Sequence, residues 1–225
     1  MTARWATLRG PASGVDHGKV VRSLDELVNE AATADVSGWD FEWLAGRASE
    51  QRPSWGYQRL IRERLLTVAS AVDLQTGGGE VLAGVPRFPP AMAATEAWPP
   101  NVALATGRLH PRGVVVVAHD GRPPLPFADA AFDLVISRHP VTVWWQEIAR
   151  VLRPGGGYLA QHVGPDSVSE LSEVFLGPRP RTGGQQSRHP DRERADAEAA
   201  GLSVTTMRME RLLAVSSSTG PAVAV

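Results

Sequence analysis

The chain has 225 residues, 43% of them hydrophobic, which is enough for one full core and argues against a second large domain. Its 23 Lys and Arg nearly balance 24 Asp and Glu, giving a formal net charge of -1, so no basic excess points to nucleic acid or an anionic membrane. With no cysteine, disulfides, Cys-ligated zinc and iron–sulfur centres are excluded. No apolar run is long enough to span a bilayer and residues 1–10 lack the apolar core of a signal peptide, so a cytoplasmic location is expected.

Residues 1–16 show no clear period. Ser23 followed by Glu26 has capping-box spacing, and Leu24, Leu27 and Val28 supply an apolar stripe, which predicts a helix from Ser23 onward. Trp39, Phe41, Trp43 and Leu44 predict a partly buried stretch over 38–45. Ser54 is placed to cap a helix over 55–67, whose apolar side uses Tyr57, Leu60, Ile61, Leu65 and Leu66. Residues 1–66 thus read as an N-terminal helical lead-in that packs on a sheet or lids a crevice, and 67–225 as the main domain.

From residue 68 the texture changes. Short apolar runs at 70–74, 91–95, 114–118, 132–137, 157–163 and 202–207 predict strands. Helical stretches near 81–84, 101–109, 141–152, 168–175 and 191–200 fall between them. This alternation predicts an α/β fold: a doubly wound, mostly parallel sheet with helices on both faces. Pro, Gly, Arg and Gln make 177–190 a loop, and low-complexity residues 213–225 read as a frayed tail.

The most informative stretch is Asp73-Leu74-Gln75-Thr76-Gly77-Gly78-Gly79-Glu80, a strand ending in an acid, then a glycine cluster, then a helix start. Such glycines let backbone turn sharply and come close to a ligand, and adenosine-type ligands bind where such a strand meets the crevice at the sheet's carboxyl edge. Any tight turn also uses glycine. Glu96, one strand–helix unit later, can accept hydrogen bonds from two ribose hydroxyls, or else be a solvated turn residue. Asp120-Gly121 after the third strand can meet an adenine, or simply make an Asp-Gly turn. Carboxylates at Asp73 and Glu80 would repel a pyrophosphate, whereas S-adenosylmethionine (SAM) carries no phosphate, an ammonium and a cationic sulfur. Charge therefore prefers SAM to a nicotinamide dinucleotide.

Over 68–177 the chain resembles the class I SAM-dependent methyltransferases. Asp73–Gly79 fits that family's acid-x-Gly-x-Gly-x-Gly loop with one exception, Glu96 matches its ribose acid and Asp120 its adenine-side acid. Leu125-Pro126-Phe127-Ala128-Asp129-Ala130-Ala131-Phe132-Asp133-Leu134-Val135 resembles the approach to its fourth strand. Glu147-Ile148-Ala149-Arg150-Val151-Leu152-Arg153-Pro154-Gly155-Gly156-Gly157 resembles the helix and turn before its fifth. The resemblance implies a Rossmann-like domain, SAM as cofactor, and cofactor contacts at Asp73, Gln75, Gly77, Gly78, Gly79, Glu96, Asp120, Gly121 and Ser137. A small-molecule acceptor is expected, and the charge balance points to neither nucleic acid nor membrane as partner. The exception is Gln75, which stands where the family has its first loop glycine, so its side chain must point away from a ligand or shrink the pocket. A non-catalytic, methyltransferase-like binding domain is the alternative this substitution raises.

Methyl transfer from a sulfonium is an in-line displacement, so positioning is the main requirement and a base is needed only if the acceptor must lose a proton. His139 and His162, after the fourth and fifth strands, are the candidate bases, with loop capping or packing as their plain alternatives. No histidines have metal-ligand spacing, so no metal is expected.

Overall fold

The computed structural model describes residues 23–34, 48–167, 169, 173, 177–178 and 188–216. Contacts separate Met1–Ala34 from Asp35–Val225. In the first unit, helix α1 (Leu24–Ala32) starts with the predicted capping box: Glu26 N–H donates to Ser23 Oγ at 3.2 Å, and Ser23 N–H to Glu26 Oε2 at 2.7 Å.

The second unit holds a five-stranded parallel sheet in the order β4-β3-β2-β5-β6, formed by β2 (Ser70–Leu74), β3 (Ala91–Glu96), β4 (Val114–Ala118), β5 (Phe132–Arg138) and β6 (Leu152–Gln161). Parallel pairing forces crossovers, and these bring helices to both faces. Helix α2 (Tyr57–Leu65), α3 (Glu80–Ala83) and α4 (Pro99–Leu109) cover one face. There Tyr57, Ile61, Leu65, Leu82, Ala105 and Leu109 bury against Ala71, Leu134 and Ile136. On the other face, Ile148 and Val151 of α5 (Trp145–Val151) pack on Val72, Leu74, Phe132 and Val135. Helix α6 (Pro190–Ala199) lies after β6 in the chain. The α/β, doubly wound architecture is as the alternation predicts. Helix α2, read as part of the lead-in before residue 67, shares its buried side with the sheet.

Strict alternation would put Phe132 on the same face as Leu134 and Ile136. Instead Phe132 joins Val135 on the α5 face, because the pairing of β5 with β6 shifts register between Phe132 and Leu134. Leu152 pairs with Phe132 and Gly157 with Leu134, so Arg153–Gly156 bulges out opposite Asp133. At this bulge Asp133 Oδ2 accepts from Ala69 N–H, Ser70 N–H and Ser70 Oγ (3.1, 2.9 and 2.9 Å), while Arg153 Nη1 donates to its Oδ1 at 2.8 Å. Arg153 and Ser70 hold the Asp133 carboxyl down to about 2. A depressed folded pKa stabilises the fold above the unfolded value near 3.8, and that stability is lost as pH falls through 2. Thermal unfolding followed by circular dichroism should therefore show a melting temperature that drops between these two pH values. Asp133→Asn should flatten that drop.

Four expectations need correction. Ser54 does not cap α2; Gly56, in the left-handed region at φ 61°, occupies the cap position, and Ser54 instead donates from N–H to Glu210 Oε2 at 2.8 Å. The helix expected from residue 141 starts at Trp145, because the preceding residues are drawn into a loop at the sheet edge. Residues 202–207 form no strand. The alternation breaks at Thr205-Thr206, the segment pairs with no strand among the described residues, and Met207 stays exposed. The chain pairs again only at β7 (Ala214–Ser216), antiparallel to β1 (Ala48–Glu50), so the start of the supposed frayed tail is ordered in a two-stranded ribbon. The aromatic stretch 38–45, most of the 168–175 helix, most of the 177–190 loop and residues 217–225 lie outside the described residues. Among the described residues, no helix is long and apolar enough to cross a membrane.

Candidate functional site

The chain adds β3 and β4 on one side of β2 and then returns to lay β5 and β6 on the other. That reversal leaves a crevice above the carboxyl ends of β2 and β5, where Leu74 pairs with Ser137. The glycine loop lies at its rim. Gly77 and Gly79 take φ of 65° and 81°, which a side chain would oppose. A Cβ on Gly79 would also sit 3.0 Å from Leu109 Cδ1 and 3.3 Å from Ala105 Cα, so this glycine lets α4 pack close. Arg108 of α4 holds the loop from outside, donating to Gly78 O at 2.7 Å and to Glu80 Oε1 at 2.5 Å. Glu80 is thereby neutralised, and Asp73 is left as the unpaired acid of the motif.

Glu96 holds the same loop from inside. Its Oε2 accepts from Gly77 N–H at 2.8 Å, and its Oε1 from Ala97 and Trp98 N–H at 3.0 Å each. The acid read as a ribose ligand is thus also a backbone fastener joining the ends of two strands. Oε1 is filled by its two donors, whereas Oε2 keeps a second lone pair for another donor.

Two cavities flank β2 at this edge. The first, about 410 Å3 and partly open to solvent, is lined by Tyr57, Asp73, Gln75, Thr76, Arg138 and His139, among others. Asp73 is buried, and burial pushes its carboxyl up to about 7. Glu96 adds to that rise, whereas the Thr76 hydroxyl opposes it, although it lies outside good hydrogen-bond geometry. Tyr57 Oη is buried with no hydrogen-bond partner among the described residues, and burial followed by the nearby Asp73 holds its phenol well above the usual range. Arg138 makes no ion pair among the described residues. Asp73, Arg138 and the Tyr57 hydroxyl, beside a Glu80 carboxylate already held by Arg108, give this cleft the polarity of a receptor for a zwitterion. An unsatisfied buried hydroxyl costs about 1–3 kcal/mol, which a ligand's acceptor atom would recover.

The second cavity, about 350 Å3, is mostly apolar, with Leu74, Leu125, Val143, Trp144 and Ile148 in its wall and Ser137, Gly121 and Tyr158 as its polar edge. Gln75 lines both cavities. It has φ 59°, a region that costs a non-glycine residue roughly 1–2 kcal/mol. Its amide recovers this by gripping the opposite loop: Val141 N–H donates to Oε1 at 2.7 Å, and Nε2 donates to Thr142 O at 2.8 Å. The first-glycine position therefore carries a latch between the two sides of the crevice. Sequence reading located the substitution but had no way to see what the side chain would hold.

His139 lines the first cavity at φ 53°. Trp55 Nε1 donates to Gln161 Oε1 at 3.0 Å, which turns the Gln161 amide nitrogen toward His139 Nε2 at 2.9 Å. Burial, then Arg138 and His162, lower its pKa to about 4. His139 is neutral near pH 7 and its Nε2 lone pair is already engaged. His162 lines neither cavity; it stands behind Tyr158, with Nε2 3.2 Å from the phenol oxygen and Nδ1 2.7 Å from Glu193 Oε1. Asp120 is absent from both walls. Its side chain is 68% exposed and Oδ1 accepts from Arg122 N–H at 3.0 Å, the plain turn of the two alternatives.

Thus Asp73 and Gln75 meet in the first cavity, and Gln75, Gly121 and Ser137 in the second. Gly77, Gly78, Gly79 and Glu96 form the rim between strands, and Asp120 stands apart. Tyr57, Tyr158 and Glu193 are the site residues that sequence reasoning missed. Tyr158 on β6 and His162 just past its end have the i, i+4 spacing of one strand face, a signal that was available.

Residues 72–160 match the family described as a methyltransferase domain. No curated protein sequence matches the chain significantly. Among solved structures, the fold is similar to a methyltransferase of Haloferax volcanii in complex with the Trm112 methyltransferase activator (20% identity, 73% of this chain and 72% of that one, TM-score 0.52). It is similar also to a protein from the conversion of a disulfide bond into a thioacetal group during echinomycin biosynthesis (19%, 78% and 81%, 0.56). A third similar structure is the [4+2]-cyclase SpnF (21%, 79% and 67%, 0.50). At these identities structural likeness fixes the fold and leaves the chemistry to the site. The family match, the acid–glycine loop and the strand order agree: residues 72–160 match a methyltransferase domain and lie on a Rossmann-like parallel sheet.

Proposed function

We propose that the protein is a SAM-dependent methyltransferase acting on a small-molecule acceptor. The observation that carries this reading is the first cavity, where a bare buried carboxyl, an unpaired guanidinium and an orphan phenol stand together. The methionyl end of SAM has an ammonium for Asp73 and a carboxylate for Arg138 and Tyr57 Oη. Glu96 Oε2 has one lone pair left for a ribose hydroxyl. Asp120 supports the reading least, since it must leave its own turn to reach an adenine. When bound, SAM supplies a methyl carbon on a sulfonium, which leaves with its electron pair. The chain's task is to hold that carbon in line with an acceptor at the end of β5 and to keep water out. The near-neutral charge and the small apolar second cavity favour a small acceptor over nucleic acid.

A second reading, a methyltransferase-like domain that no longer binds SAM, draws on Gln75. Titration calorimetry with S-adenosylhomocysteine separates the two. Binding by the wild-type chain is expected, and a well-folded protein that gives no heat would sink the enzymatic reading. Gln75→Gly removes the latch, joins the cavities and relieves the left-handed strain. It is expected to tighten binding about tenfold, or roughly 1.4 kcal/mol. Stability should change little, because about 1 kcal/mol for each lost hydrogen bond offsets the relief. Unchanged affinity would mean that Gln75 does not obstruct the crevice.

A further inference from the structure

We propose that Ser137, Tyr158, His162 and Glu193 form a proton relay that takes the proton from a phenol-type hydroxyl bound in the second cavity. This inference rests on the methyltransferase reading. The atoms run in one file: Ser137 Oγ lies 2.6 Å from Tyr158 Oη, Tyr158 Oη 3.2 Å from His162 Nε2, and His162 Nδ1 2.7 Å from Glu193 Oε1. The direction of transfer follows from the last contact. A carboxylate only accepts, so Nδ1 carries the proton and Nε2 presents its lone pair to Tyr158. Tyr158 then donates to His162, and its own oxygen is left to accept from Ser137. Both hydroxyls line the cavity, so either is placed to receive a proton from an acceptor there.

Burial, chiefly, holds the Tyr158 phenol above its usual range, so it stays protonated and passes charge on without storing it. Glu193, from the first turn of α6, places its carboxylate against the Nδ1 side of His162. The groups facing His162 are Glu193 from α6, Tyr158 from β6, His139 across the sheet edge and the uncharged ring of Trp145 from α5. His139 is neutral near pH 7, and so it adds no opposing charge there. His162 and Glu193 each keep about a sixth of their side-chain surface exposed (17% and 16%), which gives the proton an exit to water.

In the proposed step the acceptor O–H bond breaks and its electron pair stays on oxygen, free to bond the incoming methyl carbon. The proton enters at Ser137 or Tyr158, each hydroxyl on the path hands one proton on, and the net N–H bond forms at His162 Nε2. Leu74, Leu125, Val143, Trp144 and Ile148 give the cavity an apolar wall, which suits an aromatic ring carrying that hydroxyl.

The test compares methyl transfer from SAM to phenol and to 4-nitrophenol at a mildly alkaline pH, where the nitrophenol is already ionised. Tyr158→Phe and His162→Gln should each slow phenol methylation about 100-fold, the usual worth of a base. Transfer to 4-nitrophenol should fall less than about fivefold, since no proton remains to be removed. A variant that merely unfolds loses both reactions together. Nitrogen-15 spectra of labelled histidine should show His162 as the Nδ1–H tautomer, a preference that Glu193→Gln should weaken. Equal losses for the two phenols, an Nε2–H tautomer, or a wild-type protein that binds S-adenosylhomocysteine yet methylates neither phenol would overturn the relay. Failure to bind S-adenosylhomocysteine at all would instead remove the methyltransferase reading on which it stands.

Discussion

Asp73→Asn is expected to weaken S-adenosylhomocysteine binding at least about 100-fold, or roughly 2.7 kcal/mol, while making the folded domain more stable. The two effects share one cause. Asp73 is buried at the end of β2 without a cation, and burial raises its carboxyl to about 7. An acid whose folded pKa lies above its unfolded value of 3.8 binds more protons when folded. Its contribution to stability is therefore complete below 3.8 and is lost as pH rises to about 7. Above that point the ionised carboxylate is a standing cost, which an amide of the same shape avoids. The ligand's ammonium is the partner that would offset this cost, so wild-type affinity should rise with pH through about 7 and the Asn variant should lack that rise. Calorimetry over that range, with a thermal melt of each protein, reads both predictions. A variant that melts lower and binds less would point to a structural carboxylate. Binding unchanged by the substitution would remove Asp73 from the site.

Local pattern carried the fold a long way. Strands β2, β3 and β5 are visible as short apolar runs because strands buried on both faces read as hydrophobic segments, whereas the edge strands β4 and β6 are partly exposed and β6 begins at Leu152, ahead of the run expected from 157. Helix boundaries were harder wherever a side chain from elsewhere sets them. Gln75 draws Val141 and Thr142 into a loop, so α5 begins at Trp145 despite a sequence that suits helix from residue 141. Pairing partners were invisible as well: 202–207 alternates only as far as Thr205 and pairs with no strand among the described residues, whereas the bland Ala214–Ser216 finds Ala48–Glu50. In the site, the acid–glycine loop was legible because glycine and a strand-end acid have a backbone meaning at fixed spacing. Which oxygens remain free was not. Glu96 has three backbone donors on it and Glu80 has Arg108, and neither fact follows from spacing. Glu193 is 31 residues from His162, and only the packed fold brings the two together.

Arg150→Met should cost about 3 kcal/mol of stability, the largest loss expected from any single exposed-to-half-buried side chain in the sheet's surroundings. Arg150 sits in the last turn of α5, where the sequence offers it a modest role against the helix dipole. Its guanidinium instead stitches two chain segments. It donates to Leu125 O at 3.1 Å, to Phe127 O at 2.8 Å and, through two nitrogens, to both oxygens of Glu147 at 2.9 and 2.7 Å. Leu125 N–H closes the ring on Glu147 Oε2 at 2.6 Å. The further contact with Asp129 contributes little, because that carboxylate is 79% exposed and screened by water. Most of the loss comes from what stays behind: two carbonyls and the half-buried Glu147 carboxylate lose their shared donor. Arg150→Lys keeps the charge but cannot fork across two oxygens and two carbonyls, so it should recover less than half of the lost stability. Because this knot fixes Leu125 in the wall of the second cavity, its loss should also loosen acceptor binding before the domain unfolds. Urea unfolding of the three proteins measures the first effect. A loss below about 1 kcal/mol for Arg150→Met would show that the knot is solvated and that packing of Ile148 and Val151 alone holds α5 to the sheet.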